Sequence, residues 1–211
     1  MSVARLLPLL LLLGSEPDKG WYEAAKDDGI TVYARDRDDS GVADMKAIGV
    51  IDGPPPEVWK AIRDYANYKT NMPYTEESRV VATEGGDKVI HFYSVVNAPL
   101  VDRRDYCLRI VDESDWRGGK GYLKTTWTAS DKGPPEKEDP IRVKISDGYW
   151  LLEPRDDGAK TFATYYVHTD PGGSIPKFIV NKANGTAVPK VFQAIRKVVS
   201  AARDSAQAGK K

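Results

Sequence analysis

"YYVHTDPGGSIPKFIVNKA", residues 165–183, decides how this chain is arranged. It begins as an alternating strand, breaks at Asp170-Pro171-Gly172-Gly173, and resumes as a helix with Pro176 almost at its first position. Aspartate, proline and consecutive glycines make a sharp corner, and proline suits a helix entry because the first backbone donors lack intrahelical partners anyway. Ser174 is the expected cap, with Ile175 and Pro176 the first helical residues. Downstream, Val188, Val191, Phe192, Ile195, Val198, Val199 and Ala202 recur at three- and four-residue spacing, so a long helix with one apolar face follows. Pro189 inside this pattern is expected to kink the helix or delay its regular part. The corner thus folds a long helix back over whatever precedes it.

What precedes it alternates. "ITVYARD" and "VADMKAIGVID" read as two strands of a hairpin across the polar turn "RDDSG". "PPPEVWKAIRDYANY" places prolines at a helix entry and spaces Val58, Ile62 and Tyr65 by four and three, which predicts a helix on one side of a sheet. Six further strands are expected near 77–83, 87–96, 104–112, 120–129, 141–153 and 159–169, divided by turn clusters such as "EGGD" and "SDKGPPEKEDP". Strands joined by short polar turns imply an antiparallel sheet. "DKGWYEAAKDDG", residues 18–29, reads as a short opening helix with Trp21, Ala24 and Ala25 on one side and Gly29 as its stop. The fold class is therefore α+β: a curved antiparallel sheet with one long helix laid across it.

The chain has 211 residues, enough for one domain with a sizeable core, here placed at residues 20–206. Lysine and arginine equal aspartate and glutamate, 31 against 31, so no overall basic field exists to hold nucleic acid. The charge is uneven, however: from Ser174 onwards eight basic residues face one acid, Asp204. Such a face complements a helix C-terminus and stays solvated, or meets an anionic membrane surface. Residues 1–14, "MSVARLLPLLLLLG", put one arginine before a leucine run of signal-peptide length, too short to span a bilayer. No lipoprotein cysteine follows, so the expected location is periplasmic or secreted.

Catalytic chemistry finds little support in these residues. Cys107 is the lone cysteine, which excludes an intramolecular disulfide and a multi-cysteine zinc site. His91 and His168 are the only histidines, no G-x-S-x-G elbow accompanies them, and no cofactor or metal is expected.

"DPGGSIPKFIVNKANGTAVPKVFQAIRK", "NAPLVDRRDYCLRI" at 97–110, "DGYWLLEP" at 147–154 and "GITVYARD" at 29–36 together resemble the START family of lipid-transfer domains, in order from Trp21 to Arg203. The resemblance implies a helix-grip fold, in which the sheet and the C-terminal helix enclose one hydrophobic tunnel. It implies non-enzymatic binding and transfer of a lipid or other hydrophobic molecule; the alternative is a cyclase or isomerase of a polyketide or terpenoid on the same scaffold. In sterol-binding relatives an internal acid and arginine select the ligand, and an ungapped reading places them at His91 and Ile110, so neither charge is present here. By phase with His91, residues Tyr93, Val95, Tyr106, Leu108 and Ile110 are expected to face the tunnel. Helix spacing nominates Ala183, Ala187, Val191, Ile195 and Val199 as the opposite wall. Leu100 and Val101, costly if exposed, are the expected gate, parting from the helix at transient contact with a membrane.

Overall fold

The computed structural model describes residues 20–99, 101–173 and 175–209. Its strands are β1 (Tyr22–Asp27), β2 (Ile30–Arg35), β3 (Asp44–Ile51), β4 (Thr75–Glu84), β5 (Val89–Val96), β6 (Arg104–Asp112), β7 (Asp115–Arg117), β8 (Lys120–Ala129), β9 (Ile141–Arg142), β10 (Ile145–Arg155) and β11 (Lys160–Asp170). Its helices are α1 (Pro55–Ile62), α2 (Tyr68–Asn71) and α3 (Lys177–Ala208). Nine strands line up as β1-β2-β3-β11-β10-β8-β6-β5-β4, each neighbour antiparallel; β7 adds to β8, and β9 runs parallel to β6. Closing β3 against β11 joins the first hairpin to the last and curves the sheet around α3.

Of the expected opening helix at 18–29, the described residues, 20–29, form no helix. Residues 22–27 are edge strand β1, exposed at all six positions, with a register shift between Glu23 and Ala25. A strand with water on both faces has no reason to alternate, and the irregularity set Trp21, Ala24 and Ala25 at a spacing that mimics a helical turn.

The concave, inner face carries the main core. Ile30, Val32, Met45, Ala47, Leu152 and Ala163 from the strands meet Val188, Phe192, Ile195 and Val199 from α3, while Val58 and Ile62 of α1 close one end. Phe192, Ile195 and Val58 have no accessible surface. At ~25 cal/mol per Å² of apolar area, this burial is what holds α3 to the sheet. Gly53 permits the fit, since a Cβ there would stand 2.8 Å from Val199 Cγ1.

Polar ties fix the helix lengthwise. Arg196 donates to the Val50 carbonyl from Nη2 at 2.7 Å and to the Asp28 carbonyl from Nη1 at 2.6 Å; Arg203 reaches the Asp52 carbonyl at 2.8 Å. Asn181 accepts from the Ala43 amide at 3.0 Å. Two arginines of the basic C-terminal face are therefore structural. Pro189 lies within one continuous helix. The helix starts at Lys177, with Pro176 as the residue before it, two residues later than the expected start at Ile175. Ser174 lies outside the described residues, as do residues 1–14.

Candidate functional site: a part-open chamber under the helix

The inner face is packed at one end and open at the other. Near α1, Ile51, Ile62, Leu152 and Ile195 are fully enclosed. Toward the corner at 170–173, Tyr106, Leu108, Tyr165, Val167 and Val191 keep accessible surface although all are directed inward. Register fixes that direction: Leu108 pairs with Phe92, Ile110 with Ile90 and with Trp127, and Tyr165 with Trp150 and Ala47. Burial pushes the Tyr106 phenol up to about 12 and Tyr165 further, with Tyr106 itself adding to the shift. Both rings thus lie on the face that α3 covers and still keep accessible surface.

An aromatic floor separates the two ends. Tyr165 lies against Trp127 and Trp150, with ring centroids 5.7 and 4.6 Å apart, and Trp150 in turn meets Phe192 at 5.7 Å. Gly148 makes room: a Cβ there would stand 2.2 Å from Trp127 Cζ2 and 2.4 Å from the Tyr166 carbonyl. Alternation along "GYW" and "TYYV" carried this signal, but only the pairing of β10 with β8 and β11 brings Trp127, Trp150 and Tyr165 to one place.

Arg104 holds the corner at the open end. It is 4% exposed and directed inward with Tyr106, and it donates from Nε to the Pro171 carbonyl at 2.9 Å and from Nη1 to the Asp102 carbonyl at 2.6 Å. Asp170 accepts from the Gly172 amide at 3.0 Å, and Gly172 and Gly173 adopt φ of 66° and 75°, which glycine reaches without strain. The Asp-Pro-Gly-Gly corner is thereby tied to the loop ahead of β6.

Three expected chamber residues face the other way. His91 pairs with Arg109, Tyr93 with Cys107 and Val95 with Asp105, so they share the outer face with those partners, not with Tyr106, Leu108 and Ile110. They are buried because residues 130–144 cross this face as a strap. Gly133 packs so tightly that a Cβ would stand 2.1 Å from Cys107 Sγ, and Arg142 grips Asp105 with two 2.9 Å bonds. His91 Nε2 lies 2.8 Å from Glu84 and 3.4 Å from Lys132 Nζ. The comparison of His91 and Ile110 with a charged pair in sterol-binding relatives fails for His91, which lies across the sheet from the chamber. Two polar clefts beside the strap, of about 480 and 290 Å³, also open on the outer side.

The helix wall needs a correction as well. Ile195 and Val199 are buried, Val191 and Ala187 are half-buried, and Ala183 is exposed. A row stepping by four advances about 40° beyond a full turn each time, so four steps turn it by about 160°, to nearly the opposite side of the helix. Val188 and Phe192 take the places that this row gave away. Val101 is half-buried in the loop before β6, and Leu100 lies outside the described residues.

A concave antiparallel sheet gripping one long helix around a part-open apolar interior defines a cavity-forming α+β protein. Residues 51–196 match the family described as polyketide cyclase / dehydrase and lipid transport, and the chain belongs to it. It is 28% identical over 177 residues to an uncharacterised protein of Pseudomonas aeruginosa, covering 80% of this chain and 81% of that one. It is 26% identical over 176 residues to the phosphatidylcholine transfer protein of Mus musculus, covering 82% and 80%. The crystal structure of a STAR-related lipid transfer protein from Xanthomonas axonopodis superposes with a TM-score of 0.76 at 25% identity, over 86% of this chain and 99% of that one.

Proposed function

We propose that the protein is a non-enzymatic carrier that holds one lipid, or a similarly hydrophobic molecule, in the part-open end of its interior. The observation that carries this reading is the accessible surface that Tyr106, Leu108, Tyr165 and Val167 retain inside the fold. Apolar and aromatic walls left unfilled are costly, and a hydrocarbon ligand covers them without covalent chemistry. Likeness to a phosphatidylcholine transfer protein and to a STAR-related lipid transfer protein supports the same reading. Both histidines turn to the outer face, so they supply no acid–base pair to the chamber.

Transfer requires the chamber to open toward a membrane. Phe178 is 73% and Ile179 37% exposed on the first turn of α3, beside the corner that Arg104 holds, and Lys182 is exposed one turn further on. With Val101 from the facing loop they form the membrane-contacting edge of this reading. The leader-like residues 1–14 support work in the periplasm or outside the cell.

The decisive experiment is native mass spectrometry of the protein after incubation with a membrane lipid extract. Stoichiometric retention of a lipid is expected; a protein that stays empty against every lipid class sinks the carrier reading. For the gate, Phe178→Asp with Val101→Asp should slow transfer between liposomes at least tenfold, and an unchanged rate would place the opening elsewhere.

A further inference from the structure

We infer that the ligand is an uncharged lipid carrying a carbonyl, ester or hydroxyl oxygen, which the phenols of Tyr106 and Tyr165 engage by hydrogen bonds. This rests on the carrier reading above and narrows it. Among the described residues, the inward positions of the sheet bordering the chamber carry a single charged side chain, Arg104. Its donors are committed to the carbonyls of Asp102, Arg103, Pro171 and Gly172. A phosphate placed deep in the chamber would find no free cation, and a choline no acid; desolvating either charge unpaired is prohibitive next to desolvating an ester.

The neutral donors, in contrast, are in place. Neither the Tyr106 nor the Tyr165 hydroxyl has a hydrogen-bond partner among the described residues, although every other feature of Tyr165 is fixed by the two indoles that clamp its ring. Both residues keep accessible surface on the inner face, so their hydroxyls are open to a ligand oxygen, and the hydrogen bond so formed is worth about 1 kcal/mol. Burial keeps both phenols protonated across the physiological range, so each remains a donor. Ser94, buried on the inner face opposite Tyr106, adds a third neutral hydroxyl to the same end.

The test compares dioleoylglycerol, dioleoylphosphatidylcholine and dioleoylphosphatidylglycerol, which share their acyl chains, by competitive native mass spectrometry on the purified protein. Dioleoylglycerol is expected to be retained at least tenfold over either phospholipid. Tyr106→Phe and Tyr165→Phe keep the rings, and each should weaken dioleoylglycerol retention by about three- to tenfold while leaving squalene, which has no oxygen, unaffected. Equal or preferred retention of a phospholipid overturns this inference and leaves the carrier reading standing; so does an unchanged dioleoylglycerol affinity in both phenylalanine variants. Retention of no lipid and no squalene overturns both.

Discussion

The Nε of Arg104 donates to the carbonyl of Pro171 at 2.9 Å, across 67 residues of chain. The same guanidinium takes the Asp102 carbonyl at 2.6 Å, so one side chain joins the loop before β6 to the corner before α3. Those are the two segments that part in the opening proposed above. A planar fork with several donors suits this task because the carbonyls lie in two separate segments.

Arg104→Lys should therefore weaken the corner although it conserves the charge. An ammonium is a compact point charge and cannot serve both loops, and each abandoned carbonyl costs about 1–3 kcal/mol. We expect about 2 kcal/mol lower stability in urea denaturation. Amide exchange should accelerate in the first turns of α3 and stay slow around Phe192 and Ile195. Uniformly faster exchange along α3 would mean that Arg104 does not hold the corner locally.

Gly148→Ala tests the aromatic floor. The added Cβ overlaps Trp127 Cζ2 at 2.2 Å and the Tyr166 carbonyl at 2.4 Å. The carbonyl belongs to a paired strand and cannot retreat, so the indole is displaced toward the chamber. Overpacking of this kind costs about 1–3 kcal/mol. Thermal unfolding should report that loss, and lipid retention should fall with it because the chamber has been partly filled. Full retention would place the ligand away from Trp127.

Most of the strands and both longer helices were legible because one face of each is buried and the other is wet. Strand β5 broke that rule. "IHFYSVV" is covered by the core on one side and by the strap on the other, so its large residues alternate with other large residues and the phase loses its sign. The strap could not be read at all: "SDKGPPEKEDP" has the composition of a solvated turn. Its hold on β6 comes from Gly133 on Cys107 and Arg142 on Asp105, contacts that spacing does not reveal. The chamber was implied by family resemblance, and its residues became identifiable only once register had brought β6, β8, β10 and β11 together.

The strap gives a third prediction. Asp105 and Arg142 are both nearly buried, with side chains 5% and 8% exposed, and are joined by two hydrogen bonds of 2.9 Å. Asp105→Asn leaves the Arg142 charge desolvated without its counter-ion, a change that costs about 3 kcal/mol or more. Limited proteolysis should then cut within residues 130–140 before any other site. Arg142→Met with Asp105→Leu, which removes both charges, should recover much of the stability; a double variant as labile as the single one would refute the electrostatic account.

The strap should also loosen in acid. Glu84 accepts from Lys132 Nζ at 2.7 Å and lies 2.8 Å from His91 Nε2. The hydrogen bond from Lys132, helped by that from His91, holds the Glu84 carboxyl down at about 2, against an ordinary 4.5. A carboxylate whose folded pKa lies below its unfolded one contributes fully above the unfolded value and loses that contribution as the folded value is approached. The tie between β4 and the strap is thus complete above pH 4.5 and fades as pH falls toward 2. Glu84 is solvent-exposed, so salt screens the pair and the effect should shrink at high ionic strength. Asp139 is likewise lowered, by the hydrogen bond from Arg103, and would titrate in the same direction. The informative quantity is therefore the difference between the parent chain and Glu84→Gln in the rate of strap proteolysis by an acid-active protease. Glu84→Gln should be cut faster at pH 5 and equally fast near pH 2. Parallel profiles with a constant offset would show that the Glu84–Lys132 contact is not what titrates.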